Sequence, residues 1–149
     1  MNEHTKPVGC TNFKLHQLGR RVARLYEDDV RALGIKNTQY SLLSCVVNLG
    51  PVTQTALAAT LVLDPSTLTR NLRPLVAKGW VRIDTGADAR SHCVVATAEG
   101  RALQELARRA WKRSQLALNA RLSEARVARL HALIDECLEL LADPGDDHE

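Results

Sequence analysis

The sequence predicts a mainly α-helical chain that carries one small β-hairpin. Apolar residues recur at helical spacing in six segments, and two short alternating segments lie between the fourth and the fifth of them. The chain has 149 residues, of which 45% are hydrophobic, so it is long enough to bury a core of its own. We therefore expect a single domain over residues 1–149.

A long first helix is predicted over residues 12–33. Gly34 follows it and is a natural stop. Its apolar positions recur every three or four residues, with arginines between them. These positions are Leu15, Leu18, Val22, Leu25, Val30 and Leu33.

Two short helices are predicted next. Thr38 is expected to cap the first of them, which ends at Gly50-Pro51. Thr53 is expected to cap the second, over residues 54–61.

The fourth helix has the clearest start signal in the chain. Asp64 is an acidic N-cap, and Pro65 occupies the first helical position, where its missing N–H costs nothing. The helix is predicted to run to Lys78. Because Pro74 lacks a backbone donor, we expect a kink or an early loosening near it.

This fourth helix has two different faces at helical spacing. One face is apolar and the other carries small hydroxyls and guanidinium groups. The apolar side chains are Leu68, Leu72, Leu75 and Val76, and the polar ones are Ser66, Thr69, Arg70 and Arg73. The third and fourth helices, joined by a tight turn, form a predicted helix-turn-helix.

A hairpin is predicted directly after this motif. Residues 81–83 and 92–96 alternate as paired strands do, and a polar loop over 84–91 joins them. A hairpin in this place is a wing. The predicted fold class is therefore a winged helix-turn-helix, mainly α with a small β-hairpin, flanked by long N- and C-terminal helices.

The last two helices are predicted over residues 98–121 and 124–142, with Thr97 and Ser123 as their caps. Apolar residues of the final helix repeat at alternating intervals of three and four, a narrow seam typical of coiled-coil packing. The seam consists of Val127, Leu130, Ile134, Cys137 and Leu141. It needs a partner helix, so the first, fifth and sixth helices are expected to pack together across a two-fold axis.

Charge is distributed unevenly along the chain. Residues 1–121 hold 18 Lys and Arg against 9 Asp and Glu, whereas residues 122–149 hold 2 against 8. A basic body favours binding of a polyanion. Aromatic residues make up only 3% of the chain, which disfavours stacking on single strands. No signal peptide or membrane-spanning segment is recognised, so we expect a cytoplasmic protein without membrane contact.

Nothing in the sequence indicates catalysis, a metal or a cofactor. The cysteines Cys10, Cys45, Cys93 and Cys137 are widely spaced and contain no C-x-x-C pair, so reduced thiols are expected. His92 and Cys93 are adjacent on a strand and should point to opposite faces. No nucleophile elbow, glycine-rich phosphate loop or H-E-x-x-H motif is present. We therefore predict that the chain is not an enzyme.

In element order and local residues, the chain resembles the MarR family of regulators over about residues 12–142. The similarity is most specific in residues 63–72, then in Lys78-Gly79-Trp80-Val81, Asp88-Ala89-Arg90-Ser91 and Thr97-Ala98-Glu99-Gly100. The resemblance implies a homodimer. Residues 12–33 and 98–142 would be its dimerisation helices, and residues 38–96 its winged helix-turn-helix DNA-binding lobe.

Recognition helices direct their N-terminal residues toward base edges in the DNA major groove. The candidates for direct contact are Ser66, Thr67, Thr69, Arg70 and Arg73. Hydroxyls and arginines contact both bases and phosphates, so the sequence does not divide these roles. A dimer would place two such helices about one DNA turn apart and predicts a pseudo-palindromic operator.

The resemblance further implies that Arg90 of the wing enters the adjacent minor groove and that Asp88 orients it. Narrow minor grooves concentrate negative potential, which attracts arginine. Arg82, Thr53 and Gln54 are candidates for phosphate contact or are plain solvated residues.

Family members are commonly repressors that are released by a small aromatic or phenolic anion, or less often by an oxidant. His16, Tyr26, Tyr40 and Trp111 are candidates for lining an effector pocket, although large residues at helical spacing are more often core. Cys10 is either a redox sensor or a spectator thiol. The rival interpretation is a non-catalytic helical module that docks another protein through the final seam and binds no specific DNA.

Overall fold

The computed structural model describes residues 8–85 and 92–143 and confirms the predicted fold class. Six α-helices and three short strands lie within these residues. The helices are α1 (Thr11–Arg31), α2 (Asn37–Leu49), α3 (Gln54–Leu61), α4 (Pro65–Ala77), α5 (Ala98–Leu122) and α6 (Glu124–Leu140). The strands are β1 (Val52–Thr53), β2 (Val81–Thr85) and β3 (His92–Ala96).

Side-chain caps start the two helices of the helix-turn-helix, as predicted. The hydroxyl oxygen of Thr53 accepts a hydrogen bond from the Ala56 N–H at 3.2 Å. The carboxylate of Asp64 accepts one from the Thr67 N–H at 2.9 Å. Each cap satisfies a backbone donor that has no partner inside its own helix.

The start predicted for α2 was wrong. Lys36 is the N-cap residue, and Thr38 lies inside the first turn. The side chain of Gln39 turns back and accepts a hydrogen bond from the Lys36 N–H at 3.0 Å. A glutamine three positions after the cap therefore stabilises this helix start, where the prediction relied on a hydroxyl.

The loosening expected near Pro74 does not occur. Helix α4 continues through this residue to Ala77, and the Lys78 N–H donates to the Pro74 carbonyl at 3.0 Å. Proline removes only the hydrogen bond that its own nitrogen would donate, and Pro74 lies close to the end of the helix. Gly79 then ends the segment with φ +72, a backbone conformation that suits glycine.

The wing belongs to a three-stranded antiparallel sheet, of which only two strands were predicted. The order is β1-β3-β2, with Val52 opposite Val94 and Val81 opposite Ala96. Strand β1 was missed because two residues are too few to show an alternating pattern. It attaches the start of α3 to the sheet, and so connects the helix-turn-helix to the wing.

One cluster of buried side chains joins α1, α2, α3, α4, the sheet and α5. Its most buried members are Val30, Ile35, Leu43, Val46, Leu57, Leu68, Leu72, Leu75, Val81, Val94, Ala107 and Ala110. Burying a large aliphatic side chain stabilises a fold by about 1.5–3 kcal/mol. The core therefore holds the inner face of α4 against the sheet and α2.

Helices α1 and α5 run in opposite directions and are linked by polar side chains. The Tyr26 hydroxyl donates to the side-chain oxygen of Gln115, and the Ser114 hydroxyl donates to the Asp29 carboxylate at 2.9 Å. Burial raises the pKa of Tyr26. These bonds hold the C-terminal half of α1 against α5. The N-terminal half of α1 is exposed.

Large apolar side chains remain exposed on α1, α5 and α6. They are Phe13, Leu15, Leu18, Leu106, Trp111, Leu116, Leu133, Ile134, Leu138 and Leu140. Val127 is the one buried residue of α6. None of the helices in the described ranges is both long and apolar enough to cross a membrane.

Candidate nucleic-acid interface

Helix α4 presents a cationic outer face. Leu68, Leu72 and Leu75 are at most 2% exposed, whereas Arg70 and Arg73 lie on the opposite side and are exposed. Within residues 8–85 and 92–143, neither arginine has a carboxylate at salt-bridge distance. Both guanidinium groups can therefore bind an external anion or base edge without first breaking an internal ion pair.

The hydroxyls at the start of α4 are organised around Asp64. The Ser66 hydroxyl donates to one carboxylate oxygen, and the Thr67 hydroxyl donates to the other at 2.7 Å. The hydrogen bond from Ser66, followed by those from Thr67, holds the pKa of Asp64 well below its ordinary range. Thr69 donates to the Pro65 carbonyl at 2.9 Å.

This arrangement gives the five contact candidates two different roles. Hydroxyls that donate their protons inside the helix can offer only oxygen lone pairs outward, and so suit the amino groups of adenine or cytosine. Arg70 and Arg73 offer only donors, and so suit guanine or phosphate. The geometry makes a donor and acceptor pattern along one helix face.

The other phosphate candidates lie at the start of α3 and on strand β2. Thr53 is exposed, but its hydroxyl oxygen is used for capping, and Gln54 is half-buried. Arg82 forms an ion pair with Asp84 at 3.0 Å, and both side chains are at least half exposed. Such a surface pair contributes about 0–1 kcal/mol, so Arg82 can exchange Asp84 for a phosphate at low cost.

A groove beside Arg70 contains residues that the sequence analysis did not select. Its volume is about 200 Å³, and it lies between the start of α2 and the outer face of α4. The polar and charged residues along it are Lys36, Thr38, Gln39, Arg70 and Asn71. The available signal was a lysine and three polar residues directly before the apolar run of α2, but only the fold shows that they approach Arg70.

Both wing residues, Asp88 and Arg90, lie outside the described residues. The base of the wing is described, with Thr85 of β2 opposite His92 of β3. Strand β2 packs against α4, so the base of the wing lies beside that helix.

The four effector candidates have different surroundings. Tyr40 belongs to the hydrophobic core, and Tyr26 is buried with its hydroxyl bonded to Gln115. His16 is exposed on α1, and Trp111 is 38% exposed on α5. Packing alone accounts for Tyr40, while Trp111 and His16 lie on the apolar helices that the protomer leaves uncovered.

Two cysteines are exposed and two are half-buried. Cys10 is exposed at the N-cap of α1, and Cys137 is exposed on α6. Burial raises the pKa of Cys45. Among residues 8–85 and 92–143, no three His, Cys, Asp or Glu side chains are grouped so that they could hold a metal ion.

The amino-acid sequence is similar to a known protein family and to a class of regulators. The family model described as the MarR family matches residues 35–91, which include the helix-turn-helix and the start of the wing. Over 86 residues the chain is 31% identical to YwoH, an uncharacterised HTH-type transcriptional regulator of Bacillus subtilis. That match covers 58% of this chain and 63% of YwoH, just under two thirds of its length.

Solved structures extend the similarity over most of the chain. The M. tuberculosis transcriptional regulator MosR, in complex with DNA, is 32% identical, with a TM-score of 0.76, over 89% of this chain and 98% of MosR. A cysteine-to-serine variant of E. coli MarR, complexed with operator DNA, is 27% identical, with a TM-score of 0.77. That match covers 85% of this chain and 92% of E. coli MarR.

Proposed function

The chain belongs to the MarR family of transcriptional regulators, and we propose that it binds a specific double-stranded operator as a homodimer and represses transcription until a signal releases it. Proteins of this family are regulators and not enzymes. MosR and E. coli MarR, which share the fold, have both been solved on DNA.

One observation carries the proposal: on the side opposite its buried leucines, α4 exposes two arginines that have no ion-pair partner within residues 8–85 and 92–143. An α-helix fits the major groove of B-DNA, and a base-reading helix needs side chains that reach outward from a rigidly packed inner face. Arg70 and Arg73 meet this requirement because both side chains are exposed. Leu72, which lies between them in the sequence, is 2% exposed and belongs to the packed inner face. The wing that follows supplies a second contact at the minor groove through Arg90, oriented by Asp88.

Support for the homodimer comes from the uncovered helical surface. Leu15 is 56% exposed, and Leu141, directly after α6, is 81% exposed. Contiguous apolar surface on several helices marks a protein interface. Leu18, Leu130, Ile134 and Cys137 lie on the same helices and are exposed or half-buried, while Val127 is buried within its own protomer.

The effector is assigned only by chemical class. A small aromatic or phenolic anion is the expected class, and of the four candidates His16 on α1 and Trp111 on α5 are the ones whose side chains are exposed. Oxidation at Cys10 is the second route to release. A function on chromosomal DNA places the protein in the cytoplasm.

The experiment that tests this function is selection of duplexes from a random pool by the purified protein. We expect enrichment of one pseudo-palindromic sequence whose half-sites are about one helical turn apart. Repeating the selection with phenolic ligands and with peroxide would show which signal lowers retention.

Two outcomes would contradict the proposal. Retention without any enriched sequence, weak and blind to base order, is what a protein-docking module with a basic surface would give. Enrichment of a single half-site that is not repeated would support sequence-specific DNA binding but contradict binding as a two-fold dimer.

A further inference from the structure

The groove between the start of α2 and the outer face of α4 carries a cation from each of its two helices. Lys36 lines it from the α2 side and Arg70 from the α4 side, and both side chains are exposed. Within residues 8–85 and 92–143, no acidic residue lines this groove, and neither cation has a carboxylate at salt-bridge distance. Two uncompensated positive charges along a groove of about 200 Å³ attract an anion.

Both sides of the groove belong to helices that are packed into the core. Leu42 of α2 lines the groove and is only 4% exposed, and Leu72 holds α4 in the same core. The backbone of Lys36 is fixed as well, because its N–H donates to the side chain of Gln39 at 3.0 Å. The fold therefore sets the position of Lys36 relative to Arg70, and only the two long side chains remain free to adjust.

The position of the groove beside α4 indicates which anion it would bind. When a helix lies in the major groove of DNA, the surface that flanks the helix faces a strand that borders that groove. Such a strand presents a row of phosphates. Apart from Leu42 and Pro74, the groove is lined by polar or charged residues, and Thr38 and Asn71 add hydrogen-bond donors. This lining suits a hydrated sugar–phosphate chain.

We propose that the groove receives a backbone phosphate of the operator and that Lys36 neutralises it, as a positioning residue beside the DNA-reading helix. The inference rests on the proposed function and adds a contact from α2, which the sequence analysis did not select. The ammonium group binds phosphate as a point charge. Because a phosphate carries no sequence information, Lys36 fixes the register of α4 on the duplex and does not choose the bases.

Lys36→Met tests this contact, since methionine keeps most of the side-chain length without the charge. Each neutralised phosphate contributes about 0.9 to the slope of the logarithm of the binding constant against the logarithm of the salt concentration. A dimer with the change in both protomers should lose about two units of slope and bind operator on the order of tens of times more weakly near 0.1 M salt. A scrambled duplex should be weakened by the same factor, so the preference for operator should not change.

Two further variants serve as controls. Lys36→Arg keeps the positive charge and should restore the wild-type slope. Lys112→Met removes the same charge from an exposed lysine on α5, outside the groove, and should bind like wild type. Lys36 and Lys112 are both exposed, so we expect all three variants to match wild type in thermal unfolding and in sedimentation.

Ethylation of single phosphates in the selected operator locates the contact independently of affinity. Ethylation removes the charge of one phosphate and blocks its approach. We expect wild-type binding to be hindered by ethylation at a phosphate beside each half-site. The same modification should no longer hinder Lys36→Met, because that variant has no ammonium group to bind there.

The inference is overturned if Lys36→Met keeps the wild-type salt slope and ethylation pattern, or if Lys112→Met loses as much slope as Lys36→Met. It is overturned equally if Lys36→Met binds operator and scrambled duplexes more equally, since Lys36 would then read a base. A wild-type protein that enriches no operator removes the proposed function itself. An enriched operator that Lys36→Met binds like wild type removes only the phosphate contact.

Discussion

At the start of α4, three hydrogen bonds converge on the carboxylate of Asp64. They come from the Ser66 hydroxyl, the Thr67 hydroxyl and the Thr67 N–H. All three favour the ionised carboxylate and hold its pKa below the ordinary value. One residue thus begins the helix and orients two hydroxyls on the surface that would meet DNA.

The lowered pKa makes the contribution of Asp64 to stability depend on pH. A carboxyl whose folded-state pKa lies below its unfolded value stabilises the fold above the unfolded pKa, about 4, and loses that effect as the pH falls through the folded value. Asp64→Ala should therefore unfold at lower urea than wild type at pH 7. The difference between the two proteins should shrink steadily below about pH 4.

Asp64→Asn is the matched control for that experiment. Asparagine is also a good N-cap residue, so helix α4 should keep a capping hydrogen bond without a titrating charge. Unfolding midpoints at several pH values supply the comparison. A stability gap between wild type and Asp64→Ala that stays constant from pH 7 to pH 3 would show that the carboxylate charge is not what stabilises the helix.

At the scale of elements, the start of α5 is fixed tightly against the end of α4. The Thr97 hydroxyl donates to the Gly79 carbonyl at 2.6 Å and accepts from the Gly100 N–H at 3.0 Å. Gly100 is buried, and a Cβ there would lie 1.9 Å from the Trp80 carbonyl oxygen. The Thr-x-x-Gly sequence thus lets α5 approach the turn that follows α4, which connects α5 to the helix-turn-helix.

Gly100→Ala should accordingly destabilise the protein. The added methyl must displace backbone, and overpacking of this kind costs about 1–3 kcal/mol or more. Gly19→Ala is the control, because no atom of the described residues lies within 4 Å of a Cβ at that position and alanine is the better helix residue by about 0.5–1 kcal/mol. Thermal unfolding should separate the two variants in opposite directions, and equal melting temperatures would contradict the close approach.

Elements with strong local signals were predictable, and those that depend on distant partners were not. The bounds of α3 were predicted correctly because Thr53 caps it, and Asp64-Pro65 fixed the start of α4 in the same way. Strand β1 exists because β3 lies beside it, so no local pattern reveals it. The predicted end of α6 was two residues late, because its apolar seam continues past the last helical residue.

At the scale of the whole molecule, the outer face of α4 and the uncovered apolar helices lie on different parts of the protomer. The sequence indicated both, through the arginine stripe on one helix and the seam on another. It could not indicate the groove between α2 and α4, since that groove combines residues from separate helices. A symmetric pair of protomers would place two recognition helices on one side of the assembly, which is the arrangement a pseudo-palindrome requires.

The most direct test of this account is titration of the selected operator with Arg70→Ala and Arg73→Ala at several salt concentrations. We expect each variant to fold and dimerise normally and to lose about 1–3 kcal/mol of operator binding. If the logarithm of the binding constant falls less steeply with the logarithm of the salt concentration, the substituted arginine contacts phosphate. If the variant binds operator and mutated sequences more equally, the substituted arginine reads a base. Arg113→Ala, an exposed arginine on α5, should bind like wild type. Unchanged affinity, salt slope and preference in both α4 variants would contradict the assignment of α4 as the DNA-reading helix.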